Sequence, residues 1–337
     1  MDWHDLTVSG GSTARASPRT TTWHSARDTV EHMTTYAVET RSLTKRYGAR
    51  TVVDGLDLRL PSGVIAGFIG PNGSGKSTTL RMLLGLVRPT SGEGTVLGEP
   101  VTHPERYLSR VGALIEAPAF YPGLSGEANL RVLAALAGND PKRVGQVLDR
   151  VGLGKRGSDA YKRYSLGMKQ RLGIAAALLG EPELLMLDEP TNGLDPAGIR
   201  EMRDLMHALA GEGMTVFVSS HLLGELEQVC DHLVVIEAGH EVYQGPTAQL
   251  LDGSDELVLA PEHTDDLTVL AGLLRSRGLD PATRQGRLHL PASVDGADAA
   301  ELNRAAADAG VTLTELHVVR ASLEAQYGTL MTSGACS

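Results

Sequence analysis

The sequence predicts an α/β chain with a parallel-sheet core, an antiparallel β portion, a helical insertion and a small C-terminal α+β appendage. Three observations predict it. Short apolar runs at residues 64–69, 184–187 and 214–218 read as strands buried on both faces, and the first ends in a glycine-rich turn. A helical pattern follows that turn at once, with Leu80, Leu83, Leu84 and Val87 on one face. Beyond Gly245 the pattern changes to short strands alternating with helices, which suits a second, smaller unit in a chain of 337 residues.

The elements can be justified in order. Residues 1–34 are rich in Ser, Thr and Arg, lack a steady apolar period and are expected to be disordered. Trp3 and Trp23 both lie there, and Met33 directly precedes the first strand-like segment, so Met33 rather than Met1 is a candidate start. Residues 36–43 alternate, as do Leu56, Leu58 and Leu60 around Asp57 and Arg59; both stretches read as half-buried antiparallel strands. Residues 78–86 form the expected helix, and residues 124–179 read as mostly helical. In the C-terminal part, strands are expected at 257–259, 287–290 and 312–319, and helices at 265–277, 297–309 and 322–330. The division is therefore an extension at 1–34, a main domain at 35–245 and an accessory α+β domain at 246–337.

Composition narrows the function. A net charge of −10 argues against a nucleic-acid partner, which calls for a basic surface. From Pro246 onward there are 13 acidic and 6 basic residues, so the appendage faces solvent or protein rather than anionic lipid. No stretch reaches the ~18–20 apolar residues needed to span a bilayer, and no basic-then-apolar leader opens the chain; a cytoplasmic location is expected. Cys230 and Cys336 match neither a disulfide framework nor a zinc site.

The chemistry is carried by a few motifs. Gly70-Pro71-Asn72-Gly73-Ser74-Gly75-Lys76-Ser77-Thr78 fits G-x-x-x-x-G-K-[ST] and sits between a buried strand and a helix, as a phosphate loop must. Glycine lets backbone N–H groups turn inward where a Cβ would obstruct, Lys76 places a charge at the β- and γ-phosphates, and the Ser77 hydroxyl suits Mg²⁺. Alone, this establishes a P-loop NTPase. The apolar run 184–187 delivers Asp188 and Glu189 at a strand's C-terminal end, where ligands of parallel sheets bind. Asp188 is expected on Mg²⁺ and Glu189 on the attacking water. The run 216–218 ends in Ser219-Ser220-His221, from which His221 can reach a γ-phosphate; taken alone, a histidine of the core or surface reads as well. Tyr164-Ser165-Leu166-Gly167-Met168 opens a helix with Ser165 as N-cap, a second anion-seeking helix start.

In this order, and with Gly193-Leu194-Asp195 between the acids and the histidine, the motifs resemble the ATP-binding cassette (ABC) ATPases over about residues 35–245. The resemblance implies the ABC type of P-loop fold. It implies that Tyr47 stacks on adenine, that Asp195 lies in a loop crossing between subunits, and that Ser165 and Gly167 bind the γ-phosphate of ATP held by a second cassette. It further implies a polytopic membrane permease as partner, a second copy or a homologous cassette, and a peripheral place on the inner face of the cell membrane. Two departures stand out. Of the family's Leu-Ser-Gly-Gly-Gln only the serine and the second glycine survive, as Ser165 and Gly167, the two positions that the resemblance places on phosphate, and Glu116 stands where the family usually has glutamine. Glu116 can ligate Mg²⁺ or hold the lytic water, and as a third acid beside Asp188 and Glu189 it is expected to disturb their titration. These departures, with Phe120-Tyr121-Pro122-Gly123-Leu124-Ser125 and Ser322-Leu323-Glu324, resemble the bacitracin- and lantibiotic-resistance exporter subunits. Phe120 and Tyr121 either dock a permease helix or pack the helical insertion. The alternatives are a soluble ABC ATPase acting on ribosomes or DNA, an importer ATPase, or a cassette that binds ATP without turnover.

Overall fold

The structure is a computed structural model, and it describes residues 35–116, 119–251, 255–292, 298–320 and 322–334. The expectations for residues 1–34, including a start at Met33, lie outside the described residues, and so does Cys336.

An antiparallel sheet opens the chain. It is built from β1 (Tyr36–Tyr47), β2 (Arg50–Leu56) and β3 (Arg59–Pro61). After β4 (Ile65–Ile69) and α1 (Lys76–Leu83), β5 (Ser91–Val96) and β6 (Glu99–Pro100) complete it, in the order β2-β1-β5-β6 with β3 also on β1. The chain then lays down β7 (Val111–Leu114), α2 (Gly126–Ala137), α3 (Arg143–Arg150) and α4 (Leu166–Ala177). It returns through β8 (Leu184–Asp188), α5 (Pro196–Gly211), β9 (Thr215–Ser220), α6 (Leu223–Leu226), β10 (His232–Glu237) and β11 (His240–Pro246).

The second sheet runs β11-β10-β4-β9-β8-β7, parallel throughout except for β11. Its apolar runs are continuous because both faces are covered. Alternate residues sort into two cores. Ile65, Leu185, Leu187, Val216 and Val218 join the helices on one face. Phe68, Met186, Phe217 and Val234 join α1 and the antiparallel sheet on the other. Phe68 and Phe217 stack there with ring centroids 5.1 Å apart.

The last part begins with α7 (Thr247–Leu251). It then forms a four-stranded antiparallel sheet from β12 (Glu256–Pro261), β13 (Ala282–Arg284), β14 (Arg287–Pro291) and β15 (Leu313–Val319), in the order β13-β14-β12-β15. Helices α8 (Leu267–Ser276) and α9 (Ala299–Asp308) pack with it around a core of its own that includes Leu257, Leu270, Leu288 and Leu302. The final helix, α10 (Leu323–Gly334), departs from this arrangement: Leu323 and Tyr327 join the core of the parallel sheet.

Several boundaries differ from expectation for local reasons. The helix expected at 78–86 runs Lys76–Leu83, because Gly75 ends the preceding loop with φ 110° and Gly85, at φ 68°, lies just past its end. Leu56, Leu58 and Leu60 are fully buried rather than half-buried and fall on either side of a break between β2 and β3. Strands β10 and β11 were not anticipated, although residues 233–236 form a continuous apolar run.

Candidate functional site

Strand β4 feeds directly into the glycine-rich loop, and α1 leaves it. A Cβ on Gly70 would stand 2.4 Å from the Ile236 carbonyl oxygen and 2.6 Å from Ser74 Oγ; one on Gly75 would stand 2.8 Å from the Val52 carbonyl oxygen. Gly73 and Gly75 hold φ of 85° and 110°, so the loop's curvature is one that only glycine takes without strain. No acidic residue occupies the first turn of α1, which leaves its partial positive charge for an anion. Lys76 Nζ is held over the loop by the carbonyls of Gly70 at 2.6 Å and Pro71 at 3.3 Å. Ser74 Oγ is buried with no hydrogen-bond partner in the protein.

The acids arrive from β8. In the parallel register Asp188 lies opposite Ser219 of β9, and this places the residues that follow both strands side by side. Ser219 is the pin: its hydroxyl donates to Asp188 Oδ1 at 2.5 Å and accepts from the Glu189 N–H at 3.1 Å. Glu189 itself adopts φ 51° ahead of Pro190, a strained backbone of the kind kept where surroundings over-determine it. Its two carboxylate oxygens point to different partners. Oε2 lies 2.6 Å from His221 Nδ1 and Oε1 lies 3.7 Å from Lys76 Nζ.

These groups share one cavity of about 350 Å³, lined by Asn72, Gly73, Gly75, Lys76, Ser77, Thr78, Glu189 and His221, and also by Arg50, Val52 and Asn192. Sequence reasoning missed Arg50, Asn192 and the pinning role of Ser219. Asn192 had a signal, since it directly precedes Gly193-Leu194-Asp195. Arg50 had none; the β1–β2 hairpin brings it opposite Tyr47.

The other expected residues lie apart. Ser165 caps α4, its hydroxyl accepting from the Met168 N–H at 3.3 Å, and a Cβ on Gly167 would meet nothing closer than Leu194 Cδ2 at 3.7 Å. Asp195 caps α5 by accepting from the Gly198 N–H at 3.0 Å. Neither Ser165, Gly167 nor Asp195 is among the described residues lining the cavity. Tyr47 is half exposed, with Lys45 Nζ 4.9 Å from its ring centroid. Glu116 is turned outward: it is 69% exposed and ion-paired with Arg81. The expected third acid beside Asp188 and Glu189 is therefore not assembled among the described residues.

The cavity fits a nucleoside triphosphate with Mg²⁺. The glycine cradle and the Lys76 ammonium suit phosphate oxygens, and the Ser77 hydroxyl in the lining and the carboxylate of Asp188, which directly precedes the lining residue Glu189, are hard oxygen donors. No cluster of three or more His, Cys, Asp or Glu that could hold a metal exists among the described residues. Mg²⁺ needs none, because it takes one or two protein oxygens and completes its shell with phosphates and water.

A buried strand, a glycine cradle closed by lysine and paired acids at the end of β8, one strand removed across β9, define a P-loop nucleoside triphosphatase. Comparison with known proteins narrows the class. The ABC transporter family profile matches residues 53–192. The bacitracin transport ATP-binding protein BcrA of Enterococcus faecalis is 39% identical over 316 residues, covering 89% of this chain and 97% of its own. The protein of that name from Bacillus licheniformis is 45% identical over 243 residues, covering 68% and 79%. Among solved structures, cbiO1 from Clostridium perfringens, part of the ABC transporter complex cbiONQ, superposes with a TM-score of 0.60 at 26% identity, covering 64% of this chain and 90% of that one. The chain belongs to the ABC transporter family and is an ATP-binding subunit of it.

Proposed function

We propose that this chain hydrolyses ATP to drive a separate polytopic membrane permease that exports a peptide antibiotic or similar drug. The observation that carries the reading is the Glu189 carboxylate, held between His221 at 2.6 Å and Lys76 at 3.7 Å at the mouth of the phosphate cradle. Lys76 and the loop N–H groups bind the β- and γ-phosphates. Ser77 and Asp188 hold Mg²⁺, which when bound neutralises developing charge on the phosphate oxygens. Glu189 accepts a proton from the attacking water as its oxygen bonds to the γ-phosphorus and the bond to ADP breaks. His221 fixes the Glu189 carboxylate so that its free lone pairs face that water. Glu116, which stands where the family usually has glutamine, leaves its exposed pair with Arg81 and supplies a further oxygen to the metal or water when the site closes.

Tyr47 stacks on the adenine. Ser165 and Gly167, which sit outside the cavity in one copy, close over the γ-phosphate bound by a second copy or a homologous cassette, with Asp195 crossing between the two. The open space at Gly167 supports this reading, since phosphate can approach the backbone there. Residues 35–245 serve as the ATPase domain and 246–337 as the accessory part, whose Leu323 and Tyr327 pack back into the ATPase core. No described helix is long and apolar enough to cross a membrane, so attachment to the inner membrane face runs through the permease. Phe120 packs edge-on against Tyr161 at 5.2 Å, whereas Tyr121 is 64% exposed. Of the two aromatics, Tyr121 is therefore the one that meets the permease.

Copurification tests the reading. The chain should be recovered from membranes with a protein of about six apolar spans, and adding that protein should change its phosphate release. Recovery with ribosomes and no membrane protein would overturn it.

A further inference from the structure

The final helix of the chain lies where a separate C-terminal unit would not need it. Strand β15 ends the four-stranded sheet at Val319, and α10 then packs against α6 and α7. Leu323, 1% exposed, enters the same core as Leu226 and Val229, with Tyr327 packed beside it. Its N–H donates to Glu227 Oε2 at 2.9 Å. Glu227 directly follows α6, and α6 begins two residues after His221. Glu324 and His221 also line one groove, together with Arg203 and Gln228.

This arrangement matters because α6 is poorly held by itself. It spans one turn, Leu223–Leu226, and lacks a side-chain N-cap bond. A single turn has almost no intrinsic stability, so its position is set by what packs on it. Leu226 fixes it from beneath; α10 fixes it from the C-terminal end of the chain. His221, which meets Glu189 at 2.6 Å, is joined to that turn through the single residue Leu222.

We infer that α10 is a positioning element for the hydrolytic site: Leu323 and its bond to Glu227 clamp α6 and thereby hold His221 on Glu189. The inference rests on the assignment of Glu189 and His221 to hydrolysis given above. It makes the accessory sheet a handle on turnover, since β15 leads straight into the clamp. It also separates turnover from ATP affinity, because Leu323 and Glu227 are not among the described residues lining the phosphate cavity.

Steady-state phosphate release by the full chain tests this with Leu323→Ala, alone and combined with His221→Ala. A displacement of His221 by a fraction of an ångström should lower kcat about tenfold while the KM for ATP stays within about twofold. Leu323→Met should restore kcat. In the His221→Ala background, Leu323→Ala should lower kcat no further, since the residue it positions is gone. Glu227→Ala, which leaves the core filled, should reproduce the kcat loss and decides the matter if Leu323→Ala does not fold. Unchanged kcat in a folded Leu323→Ala or Glu227→Ala variant, or additive losses with His221→Ala, would overturn the clamp alone. A fully active His221→Ala would overturn the hydrolytic assignment and the clamp with it.

Discussion

Replacing Gly70 with alanine asks whether the phosphate loop is as tight as its geometry says. The new Cβ would stand 2.4 Å from the Ile236 carbonyl oxygen and 2.6 Å from Ser74 Oγ, with Ile236 Cγ1 at 3.1 Å. Ordinary carbon contacts begin near ~3.5 Å, so the loop must retreat from β10 by roughly 1 Å. Overpacking of this kind costs about 1–3 kcal/mol. For a chain of this size that is a fall in Tm of roughly 1.5–4 °C. The larger effect should fall on ATP. A loop N–H moved by roughly 1 Å no longer meets a phosphate oxygen, and each charge-assisted hydrogen bond is worth about 1.5–3 kcal/mol, or at least about tenfold in Kd. Gly73→Ala is the control: nothing lies within 4 Å of its Cβ, and the cost is only that of φ 85° for a residue with a side chain, about 1–2 kcal/mol. Titration calorimetry with ATP reads both variants. Gly70→Ala should bind at least about tenfold more weakly than Gly73→Ala; equal affinities would refute the packing argument.

Three further outcomes follow from particular contacts. Glu116→Gln should keep at least partial ATPase activity and lose under about 1 kcal/mol of stability, because the Arg81 pair is exposed; complete loss of phosphate release would show that the carboxylate's charge is required. Cys230 is buried, and that burial together with Asp231 pushes its thiol far above the usual range. It should resist alkylation at pH 8 in the native state and react on unfolding, read peptide by peptide so that Cys336 is scored separately; native labelling would contradict its burial. Glu183 is held below the usual carboxylate range, chiefly by hydrogen bonds from Arg110 at 2.5 and 2.7 Å. A lowered folded-state pKa gives stability that is present above the unfolded value near ~4.3 and lost as pH falls through the folded one. Arg110→Ala should therefore flatten the acid limb of the stability curve below about pH 4 and leave its slope near neutrality unchanged, as followed by thermal melts.

Features were legible in the sequence where one stretch of chain determines them. The cradle could be read because glycines at Gly70, Gly73 and Gly75 have a single structural use in that pattern, and the buried strands because both faces demand apolar side chains. The contact between Glu189 and His221 could not, since 32 positions separate them and only the β8–β9 register sets them side by side. Arg50 reaches the cavity through a hairpin, and Ser219 acts through two hydrogen bonds that no spacing announces. Glu116 reads as a third acid because it stands where the resembled family carries glutamine; the positive φ of 74° and the nearby Arg81 turn it elsewhere. The return of α10 was hidden for a similar reason. Its pattern shows a helix but not which core receives Leu323.

The central claim is that one copy holds only part of the site, the cradle and acids, and that a second cassette must bring Ser165 and Gly167 over the γ-phosphate. The most direct measurement is the solution mass of the Glu189→Gln chain with Mg²⁺ and ATP, by light scattering on a sizing column. Without its proton acceptor the chain should bind ATP, release phosphate slowly and run at twice the monomer mass, and adding Ser165→Arg should return it to the monomer. A Glu189→Gln chain that stays monomeric at saturating ATP, or that hydrolyses ATP at the wild-type rate, would contradict the account.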